Sequence, residues 1–148
     1  NATPRGFMSN HAYPLEDLPG MTAEYASQLA ALGLANTQAL QRFGQSPQRR
    51  RTLAAQLKLP ERYVNKWVVL AALAHVPGVG CQYNGLLLHA GISSIEQLAN
   101  SSTQVLYPRI QRLYVGTLQR SDLCPAPDQV TLWIQNAKAL ITRRAGKQ

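Results

Sequence analysis

The sequence is poor in acidic residues and has none of the common catalytic signatures. Only seven of its 148 residues are Asp or Glu, and Glu16 and Asp17 form the one adjacent pair. Consecutive residues of a helix do not face each other, so this pair is poorly arranged for shared acid–base chemistry. No Walker loop, nucleophile elbow or kinase-type motif is present. The sequence therefore predicts a protein that is not an enzyme and that needs no cofactor.

Long apolar runs and cysteine motifs are also missing. The longest apolar run, Trp67 to Val76, is about half of the roughly 20 residues that a membrane-spanning helix needs. Cys81 and Cys124 are far apart, form no CxxC motif and follow no secretory hydrophobic segment. We therefore expect a soluble, intracellular protein with free thiols and no transmembrane segment.

The histidines do not indicate a metal site. One set, His75, Cys81, His89 and Cys124, can be assembled as a group of zinc ligands, but its spacing matches no common zinc motif. Packing or surface roles are the ordinary interpretation of such residues. No metal is predicted.

Positive charge is what the chain has in excess. Fifteen Lys and Arg against seven Asp and Glu give a net charge of +8. This favours an anionic partner, such as nucleic acid, an acidic protein surface or a lipid headgroup layer, although many basic runs are only solvated helix faces. The predicted basic contact surface consists of Arg49, Arg50, Arg51, Arg109, Arg112, Arg143 and Arg144.

The sequence also repeats. A shift of 58 positions places LPGMTAEYASQLAALGLANTQAL, from Leu18, on VPGVGCQYNGLLLHAGISSIEQL, from Val76. The segments around Trp67 and Trp133 match at a slightly different shift. Because neither half is expected to bury its apolar face alone, the helices that carry the two tryptophans should pack into one shared core. The predicted divisions are an extended N-terminal arm (1–14), a first half (15–75), a second half (76–141) and a basic C-terminal tail (142–148).

Each half is predicted to be helical, with no alternating strand pattern, so the expected fold class is all-α. Gly33 and Gly91 are placed like residues that end a helix, and Ser93 to Glu96 has the spacing of a capping box. Ser46 followed by Pro47 predicts another helix start. Apolar stripes at a period of 3.6 predict two closing helices. The stripes are Tyr63, Trp67, Leu70, Ala71 and Ala74, then Val130, Trp133, Ile134, Ala137, Leu140 and Ile141.

The stretch VPGVG, followed by a helix, the residues AGI and a short capped helix, resembles the helix-hairpin-helix motif. Two such hairpins, each followed by a Trp-bearing helix, resemble an uncharacterised family of helix-hairpin-helix-like proteins, a domain of unknown function found in bacteria, including cyanobacteria. The resemblance covers roughly residues 15–141. It implies two tandem repeats packed as one domain. If the cyanobacterial branch of the resemblance holds, a photosynthetic complex is a conceivable host, and no residue identifies it. The cytoplasm or the plastid stroma is the favoured compartment.

In the helix-hairpin-helix motif the backbone binds phosphate, because glycines permit close approach and free N–H groups at a helix N-terminus point at the anion. Relatives that bind DNA usually add a Lys or Arg just beyond the turn, and neither copy here has one. The first copy has Thr22 at the second glycine position and Glu24 in the following turn, so we expect it to be structural. The residues that the resemblance assigns to phosphate in the second copy are Gly78, Val79, Gly80 and Cys81.

These departures favour a protein–protein role. We expect an adaptor, linker or accessory subunit of a larger assembly, whose arginines meet a protein partner with an acidic surface. Nucleic-acid binding without sequence specificity, through Pro77 to Gly80 and the arginine clusters, is the alternative. The N-terminal arm contains isolated Phe7, Met8 and Tyr13, a composition typical of a segment that becomes ordered on a partner. A frayed terminus is the other interpretation of this arm.

Overall fold

Most of the chain forms short helices, and local sequence features set where they begin and end. The computed structural model describes residues 12–146, and no β-strand forms within this range; one isolated antiparallel bridge pairs Pro14 with Asn36. The predicted all-α fold is confirmed, as one compact domain. The eight α-helices of this range are α1 (Ala23–Ala31), α2 (Thr37–Phe43), α3 (Pro47–Leu57), α4 (Glu61–Ala74), α5 (Gly80–His89), α6 (Ile95–Ala99), α7 (Thr103–Arg112) and α8 (Pro127–Gly146).

Helix ends follow the expected chemistry. The Ser46 hydroxyl accepts a hydrogen bond from the N–H of Arg49, with Pro47 at the first helical position of α3. This satisfies one of the donors that a helix N-terminus leaves unpaired. Gly33 and Gly91 follow α1 and α5 with φ of 87° and 98°, as the sequence predicts for residues that end a helix.

The N-cap of α6 lies one residue later than the predicted capping box places it. Ser94, not Ser93, is the N-cap, and its hydroxyl accepts a hydrogen bond from Gln97 N over 2.9 Å. Gln97 Oε1 in turn accepts one from Ser93 N over 2.8 Å, while Glu96 pairs with Arg144. The sequence contains two overlapping matches to the box, because Glu and Gln can both complete it. Burial of Ile95 at the start of the helix selects the later one.

The buried apolar side chains form two clusters. The first draws on residues 15–71 and includes Trp67, and the second draws on residues 73–140 and includes Trp133. The expectation that the two tryptophans share one core is therefore wrong. The change from one cluster to the other falls inside α4, a few residues before the predicted boundary at residue 75.

Each tryptophan packs against a tyrosine instead of against the other tryptophan. The ring centroids of Tyr25 and Trp67 are 5.6 Å apart, and those of Tyr83 and Trp133 are 4.9 Å apart. The first pair joins α1 to α4 and the second joins α5 to α8. Both closing stripes are largely buried as predicted. Tyr63 is the exception: it is 41% exposed, and the guanidinium of Arg62 lies 5.0 Å from its ring centroid.

Helix α4 joins the two clusters. It packs against α2 and α3 on one side and against α5 on the other. At the α4–α5 contact, buried Asn84 donates a hydrogen bond from Nδ2 to the Leu70 carbonyl over 2.9 Å. The Oδ1 atom of Asn84 is buried and accepts no hydrogen bond from residues 12–146. In the second half, α6 and α7 pack on α8.

The last helix is longer than the sequence suggested. Helix α8 continues through Gly146, so residues 142–146 of the predicted tail are helical. Residues 147–148 lie outside the described part of the chain. Among the described helices, none combines the length and the apolar character that crossing a membrane requires.

We predict that Trp133→Ala lowers the free energy of unfolding by about 3–5 kcal/mol, because the side chain is fully buried and its removal leaves a cavity. Trp133→Phe should cost less, since it keeps one aromatic ring. Tyr63→Ala is the control at an exposed aromatic residue and should change stability little. Urea denaturation measures all three, and native stability in Trp133→Ala would show that the core assignment is wrong.

Candidate functional site

The hairpin of the second half has the backbone geometry that its glycines predict. Gly78 and Gly80 have φ of 90° and 56°, the left-handed region that glycine adopts without steric cost. Helix α5 begins at Gly80, and no side chain of residues 12–146 caps its N-terminus. Among the four residues assigned to phosphate, Val79 is buried and Cys81 is half-buried. The turn itself is therefore compatible with an anion.

Two side chains of helix α8 donate hydrogen bonds to the backbone of this hairpin. Trp133 donates its indole N–H to the Gly78 carbonyl over 3.0 Å, and Asn136 donates from Nδ2 to the Pro77 carbonyl over 2.8 Å. A Cβ atom on Gly78 would lie 3.3 Å from Trp133 Cδ1, so the indole also needs a glycine there. These contacts show that the hairpin is an integral part of the second hydrophobic cluster.

Tyr13 covers the outer side of the same turn. Its hydroxyl oxygen lies 3.0 Å from the position that a Cβ atom on Gly80 would occupy. Burial raises the pKa of the Tyr13 phenol, and the nearby Cys81 and Asp17 raise it further. Burial, followed by the charge of Asp17, raises the pKa of the Cys81 thiol to about 11, so the thiol is neutral near pH 7. A phosphate at Gly80 would meet a phenol ring and a nearby carboxylate.

Backbone and side-chain bonds fix Tyr13 to the first half. Its N–H donates to Thr37 Oγ1 over 2.9 Å, and its carbonyl accepts from Thr37 N over 3.0 Å. Thr37 Oγ1 also lies 3.1 Å from Nε2 of buried His75. Tyr13 is thus built into the fold, whereas Phe7 and Met8, the other residues predicted for a partner-binding arm, lie outside the described residues.

The first hairpin is arranged differently. Thr22 has φ of −97° and caps α1, accepting a hydrogen bond from Tyr25 N over 3.1 Å. The cap satisfies a donor that a phosphate would otherwise use, and Glu24 adds a negative charge in the first turn.

The three consecutive arginines of α3 have three different environments. The Arg49 guanidinium lies over the Phe43 ring, 5.4 Å from its centroid, and Arg51 is exposed. Arg50 is half-buried; it donates from Nε to Asn65 Oδ1 over 2.8 Å and from Nη1 to the Gly44 carbonyl. Successive residues of a helix are about 100° apart, so the three side chains do not form one patch.

The other predicted arginines lie on α7 and at the C-terminal end of α8. Arg109 and Arg112 are exposed on the last turns of α7, and Arg109 Nη1 reaches the Ala90 carbonyl at 3.5 Å. Arg143 and Arg144 lie near the end of α8, where Arg144 pairs with Glu96 at 3.3 Å. The structure therefore spreads the seven arginines over α3, α7 and α8, and two of them, Arg50 and Arg144, line the same groove.

That groove runs beside α4, between elements of both halves. It has a volume of about 320 Å³. Gly44 forms part of one wall and lets α2 approach α4 closely, because an added Cβ would lie 2.5 Å from Val68 Cγ2. The wall residues from α2 and α3 are Gln41, Gly44, Gln45 and Arg50; α4 contributes Asn65, Val68, Val69 and Ala72; Ser93, Ser94, Ile95, Glu96 and Arg144 form the opposite wall.

A second groove, of about 480 Å³, adjoins the first, since Asn65 and Val69 line both. It adds Arg62, Tyr63, Lys66 and Leu88 to the lining. We call the two together the α4 groove. Its charged lining residues are Arg50, Arg62, Lys66 and Arg144 against Glu96, so four cations and one carboxylate give a net charge of +3.

Sequence reasoning missed two of these cations. Arg62 and Lys66 are separated in the sequence and form no run. The signal that could have found them is their position on one face of α4, because residues 62, 65, 66, 69 and 72 follow the i, i+3, i+4, i+7 and i+10 spacing. That face is opposite most of the buried stripe and combines polar, charged and apolar residues.

The cysteines and histidines do not form a metal centre in the described residues. No group of three or more His, Cys, Asp or Glu between residues 12 and 146 is placed to hold a metal ion. Cys81 and Cys124 are free and half-buried.

Comparison with known proteins identifies a family. One family model matches residues 19–140, most of the chain, and its description is a domain of unknown function (DUF4332). Neither the curated proteins nor the solved structures gave a match.

We predict that Gly80→Ala lowers the free energy of unfolding by more than about 1 kcal/mol, because alanine at positive φ is strained and its Cβ would press on Tyr13. Gly116→Ala is the matched control, since a Cβ there meets nothing within 4 Å. Chemical denaturation gives both values. An unchanged midpoint in Gly80→Ala, together with lost DNA affinity, would identify the turn as a phosphate site instead.

Proposed function

We propose that this chain, which belongs to the DUF4332 family, is a non-catalytic binding module: an adaptor, linker or accessory subunit of a larger assembly. Its partner is a protein segment with an acidic surface, and the α4 groove is where that segment binds. The resemblance to cyanobacterial proteins is the basis for proposing a photosynthetic host and a cytoplasmic or stromal compartment.

The composition of the α4 groove is the observation that carries this proposal. The groove has an apolar floor, formed by Val68, Val69 and Ala72. Its lining also carries four cations, Arg50, Arg62, Lys66 and Arg144. An amphipathic helix binds such a groove by placing its apolar face on the floor and its charged residues at the rim. Since the rim here is positive, the matching helix is acidic, and the charges steer association and fix its orientation.

We also propose that the chain consists of two helix-hairpin-helix-like repeats. Matched positions of the two halves behave alike: Tyr25 and Tyr83 each contact a tryptophan, and Gly20 and Gly78 both have positive φ, at 81° and 90°. In this interpretation the repeat supplies the scaffold. The binding surface lies where the two repeats meet.

Nucleic-acid binding is the second candidate, and the uncapped N-terminus of α5 after Gly80 is the observation that favours it. Its weakness is the surrounding chemistry. Tyr13 and Asp17 lie beside the turn, and one phosphate contact gives little affinity, because duplex binders generally neutralise several phosphates.

The proposed role predicts a partner that depends on the α4 groove. Reversing charge with Arg62→Glu and Lys66→Glu should reduce recovery of a partner protein from the native source by at least about tenfold, since complementary rim charges become repulsive. The matched control is Arg51→Glu with Lys138→Glu, two exposed residues outside the groove. Mass spectrometry of the proteins that co-purify after nuclease digestion measures recovery, and a second, undigested sample is assayed for bound DNA. Equal losses in both double variants, or DNA as the recovered partner, would contradict the proposal.

A salt series separates the two candidates. Log affinity for a duplex falls with log salt at a slope of about −0.9 per neutralised phosphate. We predict only weak binding to a generic duplex, lost near physiological salt, with Arg49, Arg50 and Arg51 each contributing slightly. Fluorescence titration of the wild type and of the triple alanine variant at these positions measures it. Submicromolar binding that persists at physiological salt and collapses in the triple variant would establish the nucleic-acid function.

A further inference from the structure

We infer that Arg50 is the specificity residue of the α4 groove and that it binds a carboxylate of the partner segment. The inference rests on the proposed function in one respect, that the carboxylate belongs to a protein partner. The binding of a carboxylate at Arg50 is a property of the groove itself, and it can be tested without the partner.

Arg50 is held in place by neutral groups. Asn65 Oδ1 accepts from its Nε, and the carbonyl of Gly44, at the C-terminus of α2, accepts from its Nη1. A guanidinium has five N–H donors, and these two bonds leave the Nη2 amino group without an acceptor among residues 12–146. Its orientation is therefore fixed before any ligand arrives, which lowers the entropic cost of binding.

The charge of Arg50 is not cancelled by a carboxylate in the described structure, although the side chain is half-buried. Glu96, the acidic residue of the groove lining, pairs with Arg144 on the opposite wall. That pair is exposed, with side-chain exposures of 48% and 61%, and contributes little to stability. A partly desolvated cation with only dipolar partners favours an anion at its open side.

The charge balance favours a carboxylate over a phosphate. Arg50 and Arg144 against Glu96 give the first groove a net charge of +1. A monoanion neutralises this charge, whereas a phosphate dianion would leave an excess negative charge beside Glu96. The Val68, Val69 and Ile95 side chains in the same lining suit the methylene groups of an acidic side chain.

The same observations indicate which kind of molecule carries the carboxylate. A second copy of this chain is a poor candidate, because each copy carries a net charge of +8 and only seven carboxylates. A flat lipid surface does not reach the floor of a concave groove between α2, α4 and α6. A segment of an acidic partner protein meets both requirements.

The test uses the whole chain and, as the probe, propionate, a carboxylate with a single negative charge near pH 7. Binding is followed by NMR through the Arg50 Nε–Hε signal and the backbone amides of Ser93 to Glu96. The Arg50 signal is identified by its absence in Arg50→Lys. At constant ionic strength maintained with chloride, we expect a saturable response with a dissociation constant in the millimolar range. Inorganic phosphate should bind more weakly than propionate.

Asn65→Asp provides the decisive variant. It is close in shape and gives Arg50 an internal carboxylate, so we expect propionate affinity to fall about tenfold or more through loss of a charge-assisted bond. Gln135→Glu adds the same charge at an exposed position of α8 outside the groove and should leave affinity within about twofold of the wild type. Stronger binding of phosphate, a response equal to that of chloride, or equal losses in the two variants would overturn the inference.

This experiment also distinguishes the two proposals. Saturable propionate binding that Asn65→Asp abolishes supports the Arg50 site even where no acidic partner is recovered, and then the adaptor role is wrong. A recovered partner that binds Asn65→Asp as tightly as the wild type supports the adaptor role and overturns the Arg50 site.

Discussion

The central constraint on this fold is that α4 has to be apolar on two sides at once. Trp67 and Leu70 face the first hydrophobic cluster, while Leu73 belongs to the second. Helices α2 and α3 cover one side of α4 and α5 covers the other. One narrow face remains for polar residues. The neighbouring helices project beyond this face of α4, so the face forms the floor of a groove. The packing that joins the two halves therefore also creates the concave surface.

Features that depend on a few neighbouring residues were predictable from the sequence. The all-α fold, the N-cap at Ser46 and the residues that end helices, Gly33 and Gly91, follow from chemistry within one helical turn. The off-by-one error at Ser93 arose where two local matches overlapped and tertiary burial of Ile95 decided between them. The helices of the fold were therefore largely predictable, whereas the two-cluster arrangement of the tryptophans was not.

The candidate site depends on distant pairs, and this is why sequence reasoning found only part of it. It identified Arg50 and Arg144 by their charge, but not that both line one groove, since they lie on helices that are far apart in the sequence. It recognised the glycine turn at Gly78 and Gly80, yet Tyr13 approaches that turn from far along the chain. Periodicity shows which residues share a helix face; it does not show which other helix stands opposite.

The α4 groove has thermodynamic consequences beyond recognition. One wall comes from α2 and α3 and the other from α6 and α8, so an occupant touches parts of the chain that bury their apolar surface in different clusters. A ligand that binds only the folded form raises the free energy of unfolding, by about 2.7 kcal/mol at a concentration one hundred times its dissociation constant. In this protein the ligand adds to the free energy of unfolding only while both hydrophobic clusters are folded, because the groove needs both of its walls. Ligand binding therefore couples the unfolding of one cluster to that of the other, and the cooperativity of the chain becomes a function of partner concentration.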